Sequence, residues 1–260
     1  MKPGVILLLL ACVLPGCVTP APPLPTVEWD TLEDARQILI DRQNAIESVQ
    51  AQLKLKITTP PPESETNTLD AALVMQGDDR FRLRAWKLNQ TIFDLTATPD
   101  GTFIVANEEM KKRAPEAEHD LAELADQLNG LLRGPNFSDA QLFRIEPAER
   151  FPLDFRDYGL YAEWERSSAR IDANTLAPYE FYLSSAQTNQ AVVLNPEYSE
   201  YTNGIWYRTV TATGDFGTVE MTFRDVELNG ELNPRAFRPP RRAVRVEVLT
   251  ASSAAEQDSP

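Results

Sequence analysis

Cysteine and histidine are almost absent from this sequence. Its two cysteines, Cys12 and Cys17, both lie in an apolar leader, and its single histidine, His119, lies in a charged stretch that we interpret as the surface of a helix. Once the leader is set aside, no thiol remains for a structural disulfide or a metal site, and imidazoles cannot form a cluster. We therefore expect that the protein binds no metal and no cofactor.

Catalytic motifs are also missing. The sequence contains no Gly-x-Ser-x-Gly elbow, no Walker loop and no Gly-x-Gly-x-x-Gly turn. Paired carboxylates can hydrolyse glycosides, and Glu163 and Glu165 share one face of a predicted strand. No recognisable aromatic subsite flanks them, so we interpret them as solvated surface charge and predict that the protein is not an enzyme.

Positive charge is in deficit. The chain has 39 acidic and 25 basic residues, which gives a formal net charge of -14 at pH 7. This balance argues against a nucleic-acid partner and, to a lesser degree, against flat docking on anionic lipid. The exception is a basic run near the C-terminus, which can meet lipid phosphates, meet an acidic partner or balance neighbouring carboxylates: Arg235, Arg238, Arg241, Arg242 and Arg245.

The leader has the layout of a secretory signal. Lys2 supplies a positive charge, and the apolar segment 5–14 is too short to span a membrane. The ending "LPGC" resembles the lipobox of bacterial lipoproteins, in which the cysteine is acylated and becomes the first mature residue. A box ending at Cys12 would leave too short an apolar segment, and a plain secretory signal with incidental cysteines is the other alternative. We predict a signal peptide over residues 1–16 and lipidation of Cys17.

A Pro-rich stretch, "VTPAPPLPT", follows Cys17 and suits an extended tether over residues 17–29. A tether fits an anchored protein better than a free one. The second mature residue would be Val18 rather than Asp, which resembles the default for transfer to the outer membrane. We therefore predict a cell-envelope protein that is lipid-anchored on the periplasmic side of the outer membrane.

The sequence pattern in the first half of the predicted domain indicates one helix and five strands. "DTLEDARQILIDRQNAIESVQ" has nearly helical apolar spacing up to Val49, and Asp30 and Glu33 make a plausible capping pair. The period then changes to two in "AQLKLKI", "AALVMQG", "RFRLRAW", "IFDLTAT" and "TFIVAN". Hairpin turns are predicted at "GDD", "KLNQ" and "PDG". One face of this meander is predicted to be dry, and the other, with Asp94, Thr96 and the arginines of "RFRLRAW", is predicted to face water.

The sequence pattern in the second half of the predicted domain indicates helices followed by further strands. A leucine stripe indicates a helix over residues 116–132, and "SDAQLFRI" suggests another short one. Six strand segments follow, in "GLYAEWER", "ARIDANTLAPYEFYLSS", "QAVVLN", "GIWYRTVTAT", "GTVEMTFRDVELN" and "AVRVEVL". We predict a single domain over residues 30–249 and a disordered tail over 250–260.

This order of elements resembles the LolA/LolB-like family of lipoprotein carriers and receptors. The local likeness is best in "RFRLRAWKLNQTIFDLTATPDGTFIVAN", where Leu88 falls at the tip of a hairpin, and in "VELNGELNPRAFRPPRRAVRVEV". The resemblance implies an α+β fold in which a large curved antiparallel sheet forms an unclosed half-barrel, covered by a few helices, around an apolar cavity. It also implies a non-enzymatic role in binding acyl chains of lipids or lipoproteins and in aiding their transfer or reception at the outer membrane.

The residues expected to carry this role lie in the meander. Leu88 is expected to contact a membrane or an acyl chain. The alternative is a filled core without a ligand, in an accessory lipoprotein that has a protein partner in a cell-envelope assembly. The predicted ligand-binding residues on the apolar concave face are Leu53, Leu55, Phe81, Leu83, Phe93, Leu95 and Phe103.

Overall fold

The computed structural model describes residues 23–62, 64–77, 79–108, 132, 134, 136–144, 159–165, 167–184, 191–215, 217–233 and 235–246. These ranges contain helix α1 (Leu32–Asn44), a 3-10 helix at Phe137–Asp139 and thirteen strands. The strands are β1 (Ser48–Thr58), β2 (Thr66–Gln76), β3 (Arg80–Lys87), β4 (Gln90–Thr98), β5 (Gly101–Ala106), β6 (Gln141–Arg144), β7 (Gly159–Trp164), β8 (Ser167–Asp172), β9 (Pro178–Ser184), β10 (Ala191–Tyr201), β11 (Gly204–Gly214), β12 (Gly217–Leu228) and β13 (Val244–Val246).

All thirteen described strands belong to one antiparallel sheet. Its order is β13-β5-β4-β3-β2-β1-β12-β11-β10-β9-β8-β7-β6, and the edge strands β13 and β6 do not pair with each other, so the sheet is open. Register shifts interrupt the ladders at Gln50/Gln52, Ala85/Trp86, Arg170/Ile171 and Glu197/Tyr198. Such bulges bend a strand and increase its twist. The large open antiparallel sheet with few helices confirms the coarse fold expected from the sequence.

Helix α1 begins one residue later than the predicted capping pair. Thr31 is the N-cap: its side chain accepts from the Asp34 amide, and the Asp34 carboxylate accepts from the Thr31 amide. The expectation of Asp30 and Glu33 was therefore wrong by one position. The helix ends at Asn44, and Val49 lies in β1 rather than on the helix, because β1 extends back to pair with both β2 and β12.

Two further expectations are corrected in the second half. The segment "SDAQLFRI", predicted as a helix, forms the end of the 3-10 helix and then β6, which pairs with β7. The segment predicted as one strand from residue 169 is divided into β8 and β9 by a turn that begins at Asp172, whose carboxylate accepts from the amides of Asn174 and Thr175. Pairing at a sheet edge and a side-chain turn both depend on contacts beyond the local apolar pattern.

The predicted alternation of β3 is confirmed. Phe81 and Leu83 are buried on the core face, and Arg80 and Arg84 are exposed on the other, which we call the outer face. Phe103 does not lie on the core face as expected, because β5 pairs it with Thr96 on the outer face while Ile104 pairs with Leu95. A one-residue error in a strand moves a side chain to the opposite face.

The outer face is not uniformly wet. Asp94 and Thr96, both predicted to face water, are 4% and 0% exposed. A segment that we call the strap (residues 235–243) lies on this face: its Phe237 is buried, and its Ala236 and Arg238 carbonyls accept from Arg82. The strap leads into β13, which pairs with β5.

Several expectations lie outside the described residues. These are the signal peptide, Cys17, the tether up to residue 22, most of the predicted helix over 116–132 with His119, and the tail over 250–260. Of that predicted helix, Leu132 is described and is 2% exposed. Within the described ranges, the helices are too short or too polar to cross a bilayer.

Candidate ligand cavity

A cavity of about 830 Å³ opens at one end of the strands. Its position follows from the register: Ser48 at the start of β1 pairs with Gln76 at the end of β2, and Gly77 begins the next turn. Asn229, just after β12, reaches the same place and donates its backbone N–H to the Ser48 carbonyl. The C-terminal half of α1 and the 3-10 helix form the opposite side.

The cavity has apolar walls and a polar rim. Its walls include Leu39, Val49, Met75, Phe137 and Phe181, all of which belong to the hydrophobic core. Its polar lining is dominated by uncharged side chains, with amides at Gln43, Asn44, Gln76, Asn136 and Asn229 and charges at Arg42 and Glu47. The lining is thus divided between apolar and polar side chains, and its apolar part is suited to the hydrophobic portion of a small ligand.

Arg42 is bound by the protein itself. Its Nη1 donates to the carbonyl oxygens of Thr175 and Leu176 at 2.5 and 3.3 Å. Burial lowers the pKa of this guanidinium from its ordinary value. Leu176, at a φ of 50°, is 1% exposed and lines the cavity. The arginine therefore ties the end of α1 to the β8–β9 turn and closes one side of the cavity.

Aromatic side chains from β10 and β11 form another wall. The rings of Tyr198 and Tyr207 lie 5.1 Å apart and those of Trp206 and Tyr207 lie 4.8 Å apart. Burial raises the pKa of Tyr207 to about 12 and raises that of Tyr198 well above its ordinary value. The Trp206 indole N–H is buried and has no hydrogen-bond partner among the described residues.

The predicted ligand-binding residues do not line this cavity. Leu53, Leu55, Phe81, Leu83, Phe93 and Leu95 are between 0% and 4% exposed within the core, and Phe103 lies on the outer face. The lining at Tyr198, Trp206 and Tyr207 was missed by the sequence analysis. A usable signal was present in "EYSEYTNGIWYR", where four aromatic residues surround one hairpin turn.

Leu88 lies at the opposite end of the strands from the cavity. It occupies a two-residue turn between Lys87 and Gln90, with φ values of 49° at Leu88 and 65° at Asn89, and is 90% exposed. The eight residues of β3 separate this turn from the cavity end, a span of roughly 26 Å. Leu88 therefore cannot touch a ligand that occupies the cavity.

The chain enters the fold at the cavity end. Val27 donates its backbone N–H to the Asn174 carbonyl, and the Trp29 indole donates to the Ala173 carbonyl at 2.8 Å. The Arg144 guanidinium lies 4.7 Å from the Trp29 ring centroid. The last residues of the predicted tether are thus docked on the β8–β9 turn.

The two carboxylates considered in the sequence analysis lie on the surface. Glu163 and Glu165 are both exposed. In the described part of the chain, no three His, Cys, Asp or Glu side chains are grouped so that they could hold a metal ion.

Comparison with known proteins identifies the type of fold. No family model and no curated protein matches the chain. Among solved structures, a LolA superfamily protein from Nitrosomonas europaea is similar at 11% identity with a TM-score of 0.50, covering 78% of this chain and 96% of that one. A DUF1329 family protein from Desulfovibrio piger is similar at 8% identity with a TM-score of 0.52, covering 80% of this chain and 98% of that one. The chain therefore has a LolA-like fold.

Proposed function

We propose that this protein is a non-enzymatic, membrane-anchored lipoprotein of the cell envelope that binds acyl chains of lipids or lipoproteins and aids their transfer or reception at the outer membrane. The cavity carries the proposal: an open sheet with a LolA-like fold leaves about 830 Å³ bounded by core side chains. Apolar pockets of roughly 300–1,000 Å³ commonly enclose one small ligand. A cavity of this volume is large enough for a ligand that has few acyl chains.

The lining indicates how such a ligand would lie. Apolar chains gain free energy by leaving water, at roughly 25 cal/mol per Å² buried. They would enter between Val49, Met75 and Phe181, and the ester or amide groups of the ligand would remain at the amide-rich rim. The predicted residues Leu53, Leu55, Phe81, Leu83, Phe93 and Leu95 would support the wall from behind.

The dense core favours one alternative. Because those six residues are already almost fully buried, the same fold can serve as an accessory lipoprotein of an envelope assembly, with no ligand. The two functions differ in whether the cavity is ever filled.

Cavity filling tests the proposal. The full-length chain carrying Cys17→Ala, which lacks the proposed acyl anchor, should take up a fluorescent fatty acid and should show bound lipid by native mass spectrometry. Ala177→Trp, in the lining, should weaken uptake about tenfold or more with little change in Tm, because the indole occupies existing space.

Two matched substitutions serve as controls. Ala85 is fully buried and does not line the cavity, so Ala85→Trp should cost about 1–3 kcal/mol of stability by overpacking. Ala191, partly exposed at the other end of the sheet, should accept Trp without loss of uptake or stability. A folded wild-type chain that takes up no fatty acid, or Ala177→Trp with unchanged uptake, would favour the accessory function.

A further inference from the structure

Seven arginines form a basic face on the outer side of the sheet. Arg80 and Arg84 are exposed there on β3, and Arg245 joins them on β13, where it pairs with the outer-face residue Phe103. The strap supplies the other four, all of them exposed: Arg235, Arg238, Arg241 and Arg242.

The charge of this face is not neutralised by the described part of the protein. None of the seven side chains forms an ion pair with a described carboxylate. Within the described ranges, the hydrogen-bond partners of the Arg80 and Arg84 side chains are the neutral side chains of Gln76 and Thr91. The nearby Asp94 is engaged by Arg82. Among the described residues, the alternative that the basic run balances neighbouring carboxylates therefore finds no carboxylate partner.

The basic face is held in place by buried contacts. The Arg82 guanidinium donates two hydrogen bonds, of 2.9 and 2.8 Å, to the Asp94 carboxylate. It donates a third, of 2.7 Å, to the Ala236 carbonyl of the strap. Phe237 is buried beside them. The backbone that presents the strap arginines is thus fixed on the sheet, while their side chains form no ion pair with the described residues.

We infer that the basic face docks on the anionic phospholipid headgroups of a membrane surface. Guanidinium groups recognise phosphate through paired N–H donors. A stable protein interface normally has an apolar centre, and among the described strap and β13 residues only Val244, 44% exposed, offers a large exposed apolar side chain. A phosphate surface requires charge alone.

The net charge of the chain determines which face of the protein meets the membrane. A protein with a net charge of -14 is repelled by an anionic surface as a whole. A local cluster of seven cations attracts the same surface at short range, since interactions decay within about 8–10 Å at moderate salt. The basic face should therefore meet the membrane and the acidic remainder should point away. This inference does not depend on a ligand in the cavity.

Vesicle binding tests the inference. The full-length Cys17→Ala chain should bind vesicles of phosphatidylcholine with phosphatidylglycerol more tightly than vesicles of phosphatidylcholine alone. The difference should vanish in high salt, where screening acts within about 3 Å. Replacing Arg238, Arg241 and Arg242 together by Gln should reduce the preference by about 100-fold, with unchanged Tm.

A control triple variant separates the basic face from net charge. Replacing Lys56, Arg170 and Arg224 by Gln removes the same charge from exposed positions elsewhere on the sheet, and should leave the preference intact. An equal loss in both triple variants, or no preference in the wild type, would overturn the inference. Binding of soluble poly-glutamate without binding of anionic vesicles would overturn it in favour of an acidic protein partner. A chain that fails to take up fatty acid can still pass this test.

Discussion

Tyr198 and Tyr207 place two hydroxyl groups inside the cavity wall, where the ionised form of either is unfavourable. Burial is the main cause of the raised pKa of both, and the neighbouring Tyr207 adds to that of Tyr198. An ordinary tyrosine ionises near pH 10. A group whose pKa is raised in the folded state contributes stability below its unfolded pKa and loses it above. The contribution of Tyr207 to stability is therefore complete below about pH 10 and is lost as pH rises through about 12.

Tyr207→Phe should therefore move alkaline unfolding to higher pH, because one group that must stay protonated has been removed. Ultraviolet absorbance of tyrosinate, recorded with circular dichroism during titration, should show fewer tyrosines ionising together with unfolding. Tyr182, 47% exposed, provides the control, since Tyr182→Phe should leave the unfolding midpoint unchanged. Identical unfolding midpoints for Tyr207→Phe and the wild type would show that burial does not raise the pKa of Tyr207 in the folded protein.

Leu88 combines exposure with an uncommon backbone conformation. A left-handed φ costs a non-glycine residue roughly 1 kcal/mol, and a two-residue turn of this kind favours Asn or Gly. Stability therefore does not account for a leucine here. We propose that it inserts into a membrane.

Two substitutions at Leu88 separate these effects. Leu88→Asn should stabilise the hairpin by about 0.5–1 kcal/mol, and Leu88→Glu should change stability by about 0.5 kcal/mol or less. Both should weaken association with neutral phosphatidylcholine vesicles, where the basic face contributes little. Thermal unfolding and vesicle flotation measure the two quantities. Full vesicle binding by a folded Leu88→Glu chain would contradict membrane insertion.

At the scale of elements, the strap depends on the ion pair beneath it. The Asp94 side chain is 5% exposed and that of Arg82 is 21% exposed, and the hydrogen bond from Arg82 to Asp94 raises the pKa of the guanidinium. Removing one partner of a buried pair leaves the other charge uncompensated, at a cost of about 3–5 kcal/mol. Because Arg82 is partly exposed, we expect the loss of stability to be near the lower end of this range, about 3 kcal/mol.

Arg82→Met should accordingly lower stability by about 3 kcal/mol and speed hydrogen exchange in the strap and β13. Arg84→Met, which removes a neighbouring exposed arginine, should have little effect on either measurement. The double variant Arg82→Met with Asp94→Leu should recover part of the loss, because no buried charge remains. Unaltered exchange in the strap of Arg82→Met would mean that Phe237 and β13 hold it without the ion pair.

At the scale of the whole molecule, the sheet has two different ends. The cavity and the docked residues Val27 and Trp29 lie at one end, and Leu88 lies at the other. If Cys17 carries the anchor, nine residues separate it from Val27, and the ten backbone steps between them reach roughly 33 Å when extended. That reach exceeds the length of β3, so an anchored chain can lie with its outer face and its Leu88 end on the membrane.

The anchor itself is tested by two cysteine substitutions. Cys17→Ala should abolish incorporation of a palmitate analogue, because the proposed acylation site is lost, and Cys12→Ala should leave incorporation unchanged. Metabolic labelling followed by membrane fractionation measures both. Loss of label in Cys12→Ala alone would assign the lipidation site to Cys12.

Local patterns in the sequence determined much of the meander. The alternation of "RFRLRAW" predicted which side chains of β3 are buried, since a strand repeats every two residues. "KLNQ" predicted a tight hairpin with Leu88 at its tip. The apolar spacing of α1 and the family resemblance together predicted a helix followed by a large open sheet.

Only the tertiary structure decided where the cavity lies and which outer-face residues are covered. Asp94 and Thr96 look solvated in an alternating strand, yet both are buried, and Arg82 links Asp94 to the strap, which is far away in sequence. Residues 141–144 form a strand because an unpaired edge of β7 is available to them. The cavity is the space left between the end of α1, the β8–β9 turn and the aromatic hairpin. Each of these depends on contacts between segments distant in sequence, which local periodicity does not specify.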